Sequence, residues 1–167
     1  MQYSVAFAQE LIEAARVPQH RIAVYEEAKR AVLYLSLLSI EISLKYLLEK
    51  AGVPVTAIRK RSHDIESLLA DLGDCEIQVG FGDEVKWVSA SHIRARIVNP
   101  QYTGATIGSL LEGESKGASK YPRQIRYGED PHHFPPDVML QCAAKLIEWA
   151  REYEGSIKVK GSAKPAA

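Results

Sequence analysis

The chain has 167 residues, which is long enough for one domain of ordinary size. Hydrophobic residues make up 46% of it and charged residues 25%, a composition that suits a soluble protein with a core. Its 21 basic residues are balanced by 21 acidic ones, so the chain lacks the excess positive charge of a nonspecific nucleic-acid binder. Cys75 and Cys142 have neither CxxC nor Cys/His spacing, which favours buried thiols in a reducing compartment over a zinc site or a disulfide.

No targeting segment is predicted. The N-terminal stretch MQYSVAFAQELIEAAR lacks the basic start of a signal peptide and contains Glu10 and Glu13. The longest uncharged apolar stretch, residues 31–40, is too short to cross a bilayer. We therefore expect a cytoplasmic protein with no membrane partner.

Two helices are predicted in the first 50 residues. Apolar residues recur at spacings of three and four over residues 3–16, and a longer helical pattern covers residues 21–50. The polar positions of the second helix include a narrow line formed by Ser36, Ser39 and Ser43. Because most of its remaining circumference is apolar, we expect other helices to cover it.

The same helix carries charged residues at intervals of four, namely Glu41, Lys45 and Glu49. A glutamate four residues before a lysine is the favourable order for a helical ion pair. The residues form either a solvated face or a groove between helices, beside the serine line. Charged helix faces are usually solvated, which favours the first interpretation.

A third helix is predicted from the stretch RSHDIESLLADLG. Ser62 suits the N-cap, Asp64 the first turn and Gly73 the position after the end. The apolar stripe is Ile65, Leu68, Leu69 and Leu72. His63 precedes Asp64, but adjacent helical residues point about 100° apart and form no dyad. A structural role for His63 at the helix start is therefore favoured.

The middle of the chain permits two interpretations. Residues 75–81 alternate like a strand, whereas residues 83–98 place apolar side chains at helical spacing. A helix over 83–98 is preferred, and a short hairpin or irregular insertion over 75–88 is the alternative. Residues 99–120 are rich in Gly, Ser and Thr and are predicted to be mostly loop.

A final helix is predicted after Pro135, Pro136 and Asp137, over residues 138–154. Residues 155–167 are predicted to be a disordered tail. The predicted fold is therefore all-α, an antiparallel bundle of about five helices in a single domain over residues 1–154.

Three short motifs, in this order, resemble the HEPN domain family. They are the E-x-x-L-K pattern at Glu41 and Lys45, the His63-Asp64 step at a helix start, and the Arg126-Tyr127 step before the final helix. The resemblance implies a helical bundle, commonly a homodimer, of a kind found in prokaryotic toxin–antitoxin and defence systems. An antitoxin-like protein and an RNA or nucleotide are the partners that it implies.

Some members of that family are metal-independent ribonucleases in which an Arg is followed a few residues later by a His. Arg126 and His132 are the catalytic candidates, because an imidazole can move the 2′-hydroxyl proton and a guanidinium can hold the phosphate. Gly128 and Pro131 between them favour a turn instead of the helix of those nucleases. In the alternative, Arg126 pairs with an acid of the same loop.

Basic and aromatic residues alternate just before this stretch. The candidates for nucleic-acid binding are Lys116, Lys120, Tyr121, Arg123 and Tyr127, and the segment they span contains no acid. Such residues suit the phosphates and bases of a single strand, although a solvated loop has the same composition. The sequence thus predicts a non-catalytic module that binds RNA, a nucleotide or another protein. The alternative is a metal-independent endoribonuclease that uses the Arg126–His132 pair across a homodimer.

No metal site and no cofactor are predicted. Glu129, Asp130, His132 and His133 carry metal-binding groups, but adjacent histidines in a loop rarely hold a metal alone. Glycine patterns of nucleotide-binding and nucleophile-elbow sites are absent from the sequence.

Overall fold

The computed structural model describes residues 1–80, 84–101 and 104–162, which form a helical body and a three-stranded antiparallel sheet. The α-helices are α1 (Val5–Gln19), α2 (Glu26–Lys50), α3 (Val55–Lys60), α4 (Ile65–Gly73), α5 (Ile107–Leu111), α6 (Arg123–Tyr127) and α7 (Pro136–Tyr153). The strands are β1 (Cys75–Val79), β2 (Lys86–Ser89) and β3 (Ile157–Val159). The structure is 59% helical, and the prediction of an all-α bundle of about five helices is wrong.

Helix α2 lies at the centre and packs against α1, α4 and α7. Its serine line is fully buried, and the Ser39 hydroxyl donates a 2.8 Å hydrogen bond to the Ala8 carbonyl oxygen of α1. Helix α1 extends three residues beyond the predicted range 3–16, and Pro18 lies in its last turn. Small hydroxyl residues let α1 approach α2 closely along this line.

By length and composition, α2 is the one described helix that could cross a membrane. However, 72% of its apolar window is buried inside the fold, as in the core helix of a soluble protein. The apolar character of α2 is therefore explained by its contacts with the neighbouring helices.

Strand β1 is the central strand, in the order β2-β1-β3. Ile77 pairs with Val88 of β2 on one side and with Ile157 of β3 on the other. The predicted helix over 83–98 is wrong, because a hairpin strand and a 3-10 helix (Ala90–Ala95) occupy this region. The apolar spacing that suggested a helix is used by the 3-10 helix to bury Ala90 and Ile93. Residues 81–83, at the end of the predicted alternation, lie outside the described residues.

Strand β3 lies in the predicted disordered tail, and that prediction is wrong for residues 157–159. Ile157 is buried, and the Val159 amide donates a 3.0 Å hydrogen bond to the Ala51 carbonyl oxygen at the end of α2. A domain boundary after residue 154 would therefore remove one strand of the sheet. Residues 163–167 lie outside the described part of the chain.

Part of the predicted loop over 99–120 is helical. Helix α5 begins at a capping box in which Thr106 and Ser109 exchange side-chain and backbone hydrogen bonds. A 3-10 helix (Glu114–Lys116) follows. Residues 102–103 of the predicted loop are outside the described residues. Short capped helices of this kind do not produce a long periodic pattern, which is why the sequence indicated a loop.

Candidate functional site

A buried ion pair lies on α2. Glu41 is 4% exposed and Lys45 is 7% exposed, and the Lys45 ammonium donates a 2.6 Å hydrogen bond to Glu41 Oε1. The favoured prediction of a solvated charged face is therefore wrong for this pair. Charges are buried in this way when each balances the other and further hydrogen bonds satisfy the remaining atoms.

The second oxygen of the Glu41 carboxylate holds two other segments of the chain. Oε2 accepts a 2.8 Å hydrogen bond from the Tyr121 hydroxyl and lies 2.9 Å from His63 Nδ1. One buried carboxylate thus connects α2 with the residue before the α4 cap and with the turn before α6. We define these four side chains, Glu41, Lys45, His63 and Tyr121, as the Glu41 cluster.

Tyr121 is an internal member of the Glu41 cluster. Only 7% of the residue is exposed, and burial together with the Glu41 charge raises the pKa of its hydroxyl far above the usual value. Its backbone amide donates a 2.8 Å hydrogen bond to Glu114 Oε1. The prediction that Tyr121 stacks on a nucleic-acid base is wrong, because both its ring and its hydroxyl are occupied by the fold.

His63 owes its position to the cap of α4. The N-cap is Asp64, which accepts a hydrogen bond from the Ser67 amide, and not Ser62 as predicted. Ser62 has a φ of 51°, which is left-handed backbone and not the extended conformation of an N-cap. This turn directs His63 to the Glu41 carboxylate, while its side chain stays 53% exposed.

An aromatic layer connects the Glu41 cluster with Arg126. The rings of Tyr121 and Tyr34 are 5.9 Å apart, and the Arg126 guanidinium lies 5.5 Å from the centre of the Tyr34 ring. Arg126 also lies over the ring of Tyr127, at 5.2 Å. Within the described residues Arg126 forms no ion pair, so the expected pairing with Glu129 or Asp130 is not observed.

The four residues Lys120, Arg123, Arg126 and Tyr127 are exposed on and beside α6, and we call them the α6 surface. In the part of the chain that the structure describes, no carboxylate lies within ion-pair distance of its three cations. Lys116, the remaining predicted basic contact, instead donates to the Ser109 carbonyl oxygen and lies 3.7 Å from Glu112. It is therefore already held against α5.

The proposed catalytic pair does not lie on a common helix. Helix α6 ends at Tyr127, and Gly128 is in an extended conformation. His132 lies in the following loop, where its amide donates to the Ser119 hydroxyl at 2.8 Å and its carbonyl oxygen accepts from the Ser119 amide at 2.7 Å. The arrangement matches the turn that Gly128 and Pro131 predict.

The neighbouring His133 is half-buried, unlike the exposed His132. Its Nδ1 atom is buried without a hydrogen-bond partner, and burial lowers the pKa of the ring. Across the described residues, no group of three or more His, Cys, Asp or Glu side chains is arranged to hold a metal ion. His133 is thus explained by packing beside Phe134, whose ring it meets edge-on at 5.8 Å.

Comparisons with protein-family models, with curated proteins and with solved structures found no match for this chain. The likeness to HEPN domains therefore rests on the three motifs.

The sequence identified most of the charged residues of this site but not their association. The spacing of Glu41 and Lys45 predicts a helical ion pair, and His63 stands next to Asp64 in the sequence. The contact between Glu41 and His63 spans 22 residues of sequence, and the contact with Tyr121 spans 80. No local pattern reports contacts at such separations.

Proposed function

We propose that this chain is a HEPN-like cytoplasmic protein that binds RNA or a nucleotide without cleaving it. One observation carries the proposal: the three motifs that resemble HEPN domains converge on one site. Glu41 and Lys45 form its buried centre, His63 contacts that centre directly, and Arg126 reaches it through Tyr34 and Tyr121. When motifs separated by tens of residues build one site, that site explains why they occur together in one chain.

The α6 surface supports binding of a single-stranded nucleic acid. Lys120, Arg123 and Arg126 offer three exposed positive charges without a described ion-pair partner, which suits a phosphate backbone. Tyr127 is 72% exposed beside Arg126, so its ring is free to stack on a base. This combination is local, and it is compatible with a chain whose total charge is zero.

The turn between Arg126 and His132 favours a non-catalytic role. Proton transfer needs an imidazole held within hydrogen-bond reach of the reacting hydroxyl, and phosphate binding needs a positioned guanidinium nearby. Here Arg126 lies on α6, and His132 lies in the loop beyond the extended Gly128, where its backbone amide is bound to Ser119. The nuclease interpretation would require this loop to rearrange.

A homodimer, with an antitoxin-like protein as a second partner, completes the proposal. Two apolar side chains near the α1–α2 connection are exposed: Val17, in the last turn of α1, is 70% exposed, and Val24, in the connection, is 74% exposed. A second copy of the chain would remove these side chains from water. Sedimentation of the wild type and of Val24→Ser over a range of concentrations tests this part of the proposal.

RNA binding is tested by fluorescence anisotropy with a labelled single-stranded oligonucleotide at several salt concentrations. Arg123→Ala should weaken binding and reduce the slope of log K against log salt by about one phosphate contact. Arg151→Ala, in an exposed arginine of α7, is the matched control and should bind like the wild type. Absence of binding by the wild type, or equal losses in both variants, would contradict the proposal.

A further inference from the structure

The hydrogen bonds of the Glu41 cluster determine the tautomer of His63. An ionised carboxylate can only accept hydrogen bonds, and Lys45 and Tyr121 already donate to Glu41. His63 must therefore donate through Nδ1–H at 2.9 Å. In the neutral ring this leaves Nε2 with a free lone pair, so that Nε2 is a hydrogen-bond acceptor.

No described residue donates a hydrogen bond to this acceptor. Among the described residues, the one side-chain hydrogen bond of His63 is the bond from Nδ1 to Glu41. The side chain is 53% exposed, so Nε2 can be reached from solvent. The buried carboxylate fixes one nitrogen of the His63 ring, and the other nitrogen is accessible. The ring is therefore oriented to accept a hydrogen bond from a ligand.

His63 lies on the same aromatic layer that leads to the α6 surface. The His63 ring contacts the Tyr121 ring edge-on, with 6.0 Å between the ring centres. The Tyr121 ring in turn contacts the Tyr34 ring, over which the Arg126 guanidinium lies. Three successive contacts of 5.5, 5.9 and 6.0 Å thus connect the Arg126 guanidinium with the His63 ring, a separation that a strand of a few nucleotides spans. The cations and Tyr127 recognise phosphates and base faces, which RNA and DNA share.

We propose that His63 Nε2 accepts a hydrogen bond from a ribose 2′-hydroxyl, and that this contact makes the site selective for RNA over DNA. The 2′-hydroxyl is the donor by which a protein distinguishes the two at a given position. The proposal rests on the proposed function, because it assigns a ligand class to the same site.

The test compares binding of oligo(U) and oligo(dU) of equal length, which differ only in the 2′-hydroxyl. His63→Asn is the informative variant, since the asparagine amide can donate to Glu41 in place of Nδ1–H but offers nothing at the Nε2 position. His92→Asn, in an exposed histidine of the 3-10 helix, is the matched control. Melting temperatures show whether each variant is folded.

We expect the wild type and His92→Asn to prefer oligo(U) by about two- to tenfold, the effect of one neutral hydrogen bond. His63→Asn should bind both oligonucleotides with the affinity that the wild type shows for oligo(dU). If His63→Asn fails to fold, 2′-O-methyl oligo(U) tests the same contact on the wild type, because methylation removes the donor hydrogen. We expect this ligand to bind with the affinity of oligo(dU).

Three results would overturn the inference. Equal binding of oligo(U) and oligo(dU) by the wild type would exclude 2′-hydroxyl recognition while leaving RNA binding intact. A preference retained in folded His63→Asn, or with the 2′-O-methyl ligand, would place the recognition elsewhere. If the wild type bound neither oligonucleotide, the proposed function itself would fail, and this inference with it.

Discussion

The Tyr121 hydroxyl donates a 2.8 Å hydrogen bond to the Glu41 carboxylate across 80 residues of chain. Because Tyr121 lies immediately before α6, this bond attaches the α6 surface to the central helix. The same carboxylate holds Lys45 and His63. The stability of the fold and the geometry of the proposed binding site therefore depend on one side chain.

Replacing Glu41 with alanine should destabilise the protein by about 3–5 kcal/mol, the usual cost of leaving one partner of a buried ion pair uncompensated. Lys45 would stay buried without its counter-charge, and two further donors would lose their acceptor. Urea unfolding measures the change in the free energy of unfolding. Glu10→Ala, in an exposed glutamate of α1, is the control and should change it little.

The double variant Glu41→Leu with Lys45→Met should be more stable than Glu41→Leu alone, because the unpaired charge is then removed. Both substitutions place an apolar side chain of similar size at a helical position. The same urea titration of the double variant and of both single variants, Glu41→Leu and Lys45→Met, gives the coupling between the two sites. Strictly additive effects would show that Glu41 and Lys45 do not interact in the folded protein.

Tyr121→Phe should lower the free energy of unfolding by about 1–3 kcal/mol, because the buried Glu41 carboxylate loses one donor while the ring is kept. Tyr34→Phe is the matched control: among the described residues its hydroxyl forms no side-chain hydrogen bond. Thermal and urea unfolding of both variants measure the difference. Similar losses in the two variants would be inconsistent with a specific contribution of the Tyr121 hydroxyl.

Incubation of the wild type with end-labelled single-stranded RNA in EDTA should leave the RNA intact. Arg126 lies on α6, whereas His132 lies in the loop that follows the extended Gly128, so the pair is not on one helix. Arg126→Ala and His132→Ala are assayed in parallel. Cleavage by the wild type that disappears in both variants would identify the pair as a ribonuclease site and reverse the functional assignment.

The stability of the protein should fall as the pH is lowered through the normal pKa of histidine, partly because of His133. Burial, the largest cause, lowers the pKa of His133 below 6.5 in the folded state. The unfolded chain therefore takes up the proton first, and protonation favours unfolding. His133→Gln should make the free energy of unfolding less dependent on pH between about 7.5 and 5.

The matched control for His133→Gln is His92→Gln, since His92 is exposed. Urea titrations at a series of pH values give the dependence for each variant. Equal slopes for the wild type and His133→Gln would show that the His133 ring does not contribute to acid destabilisation.

Ile157→Ala should destabilise the protein by about 2–5 kcal/mol, the range for truncating a buried isoleucine. Ile157 pairs with Ile77 of β1 and is 4% exposed. Lys160→Ala, in an exposed residue just beyond β3, is the control. A negligible effect of Ile157→Ala in urea unfolding would mean that β3 is not docked in solution.

The long helices of this fold could be predicted because periodicity over many residues is a strong signal. Helix α2 ends at the predicted residue 50 but begins five residues after the predicted start at 21. Helix α7 begins two residues before and ends one residue before the predicted range 138–154. Strand β3 has only three residues, and its alternation is too short to be distinguished from a polar tail. Helix α6 has only five residues, too few to show a helical period in the sequence.

The candidate site could be predicted only in part. The charged character of Glu41, Lys45 and Arg126 is visible in the sequence, but their burial is decided by packing. Tyr121 shows the difficulty most clearly: a tyrosine among basic residues suggests a stacking platform, whereas its hydroxyl is needed by a distant carboxylate. Composition shows which side chains a segment contains, and tertiary contacts decide which of them remain accessible to a ligand.

The pairing of β1 with β3 has a kinetic consequence. Cys75 pairs with Val159, so the sheet closes only when segments far apart in sequence have met. Contacts between distant segments slow folding, because the entropy of closing the intervening loop must be overcome first. The α1–α2 contact joins neighbouring segments and can form early. We expect β3 to dock in a late step, after the helices have assembled and α7 has brought the end of the chain next to β1.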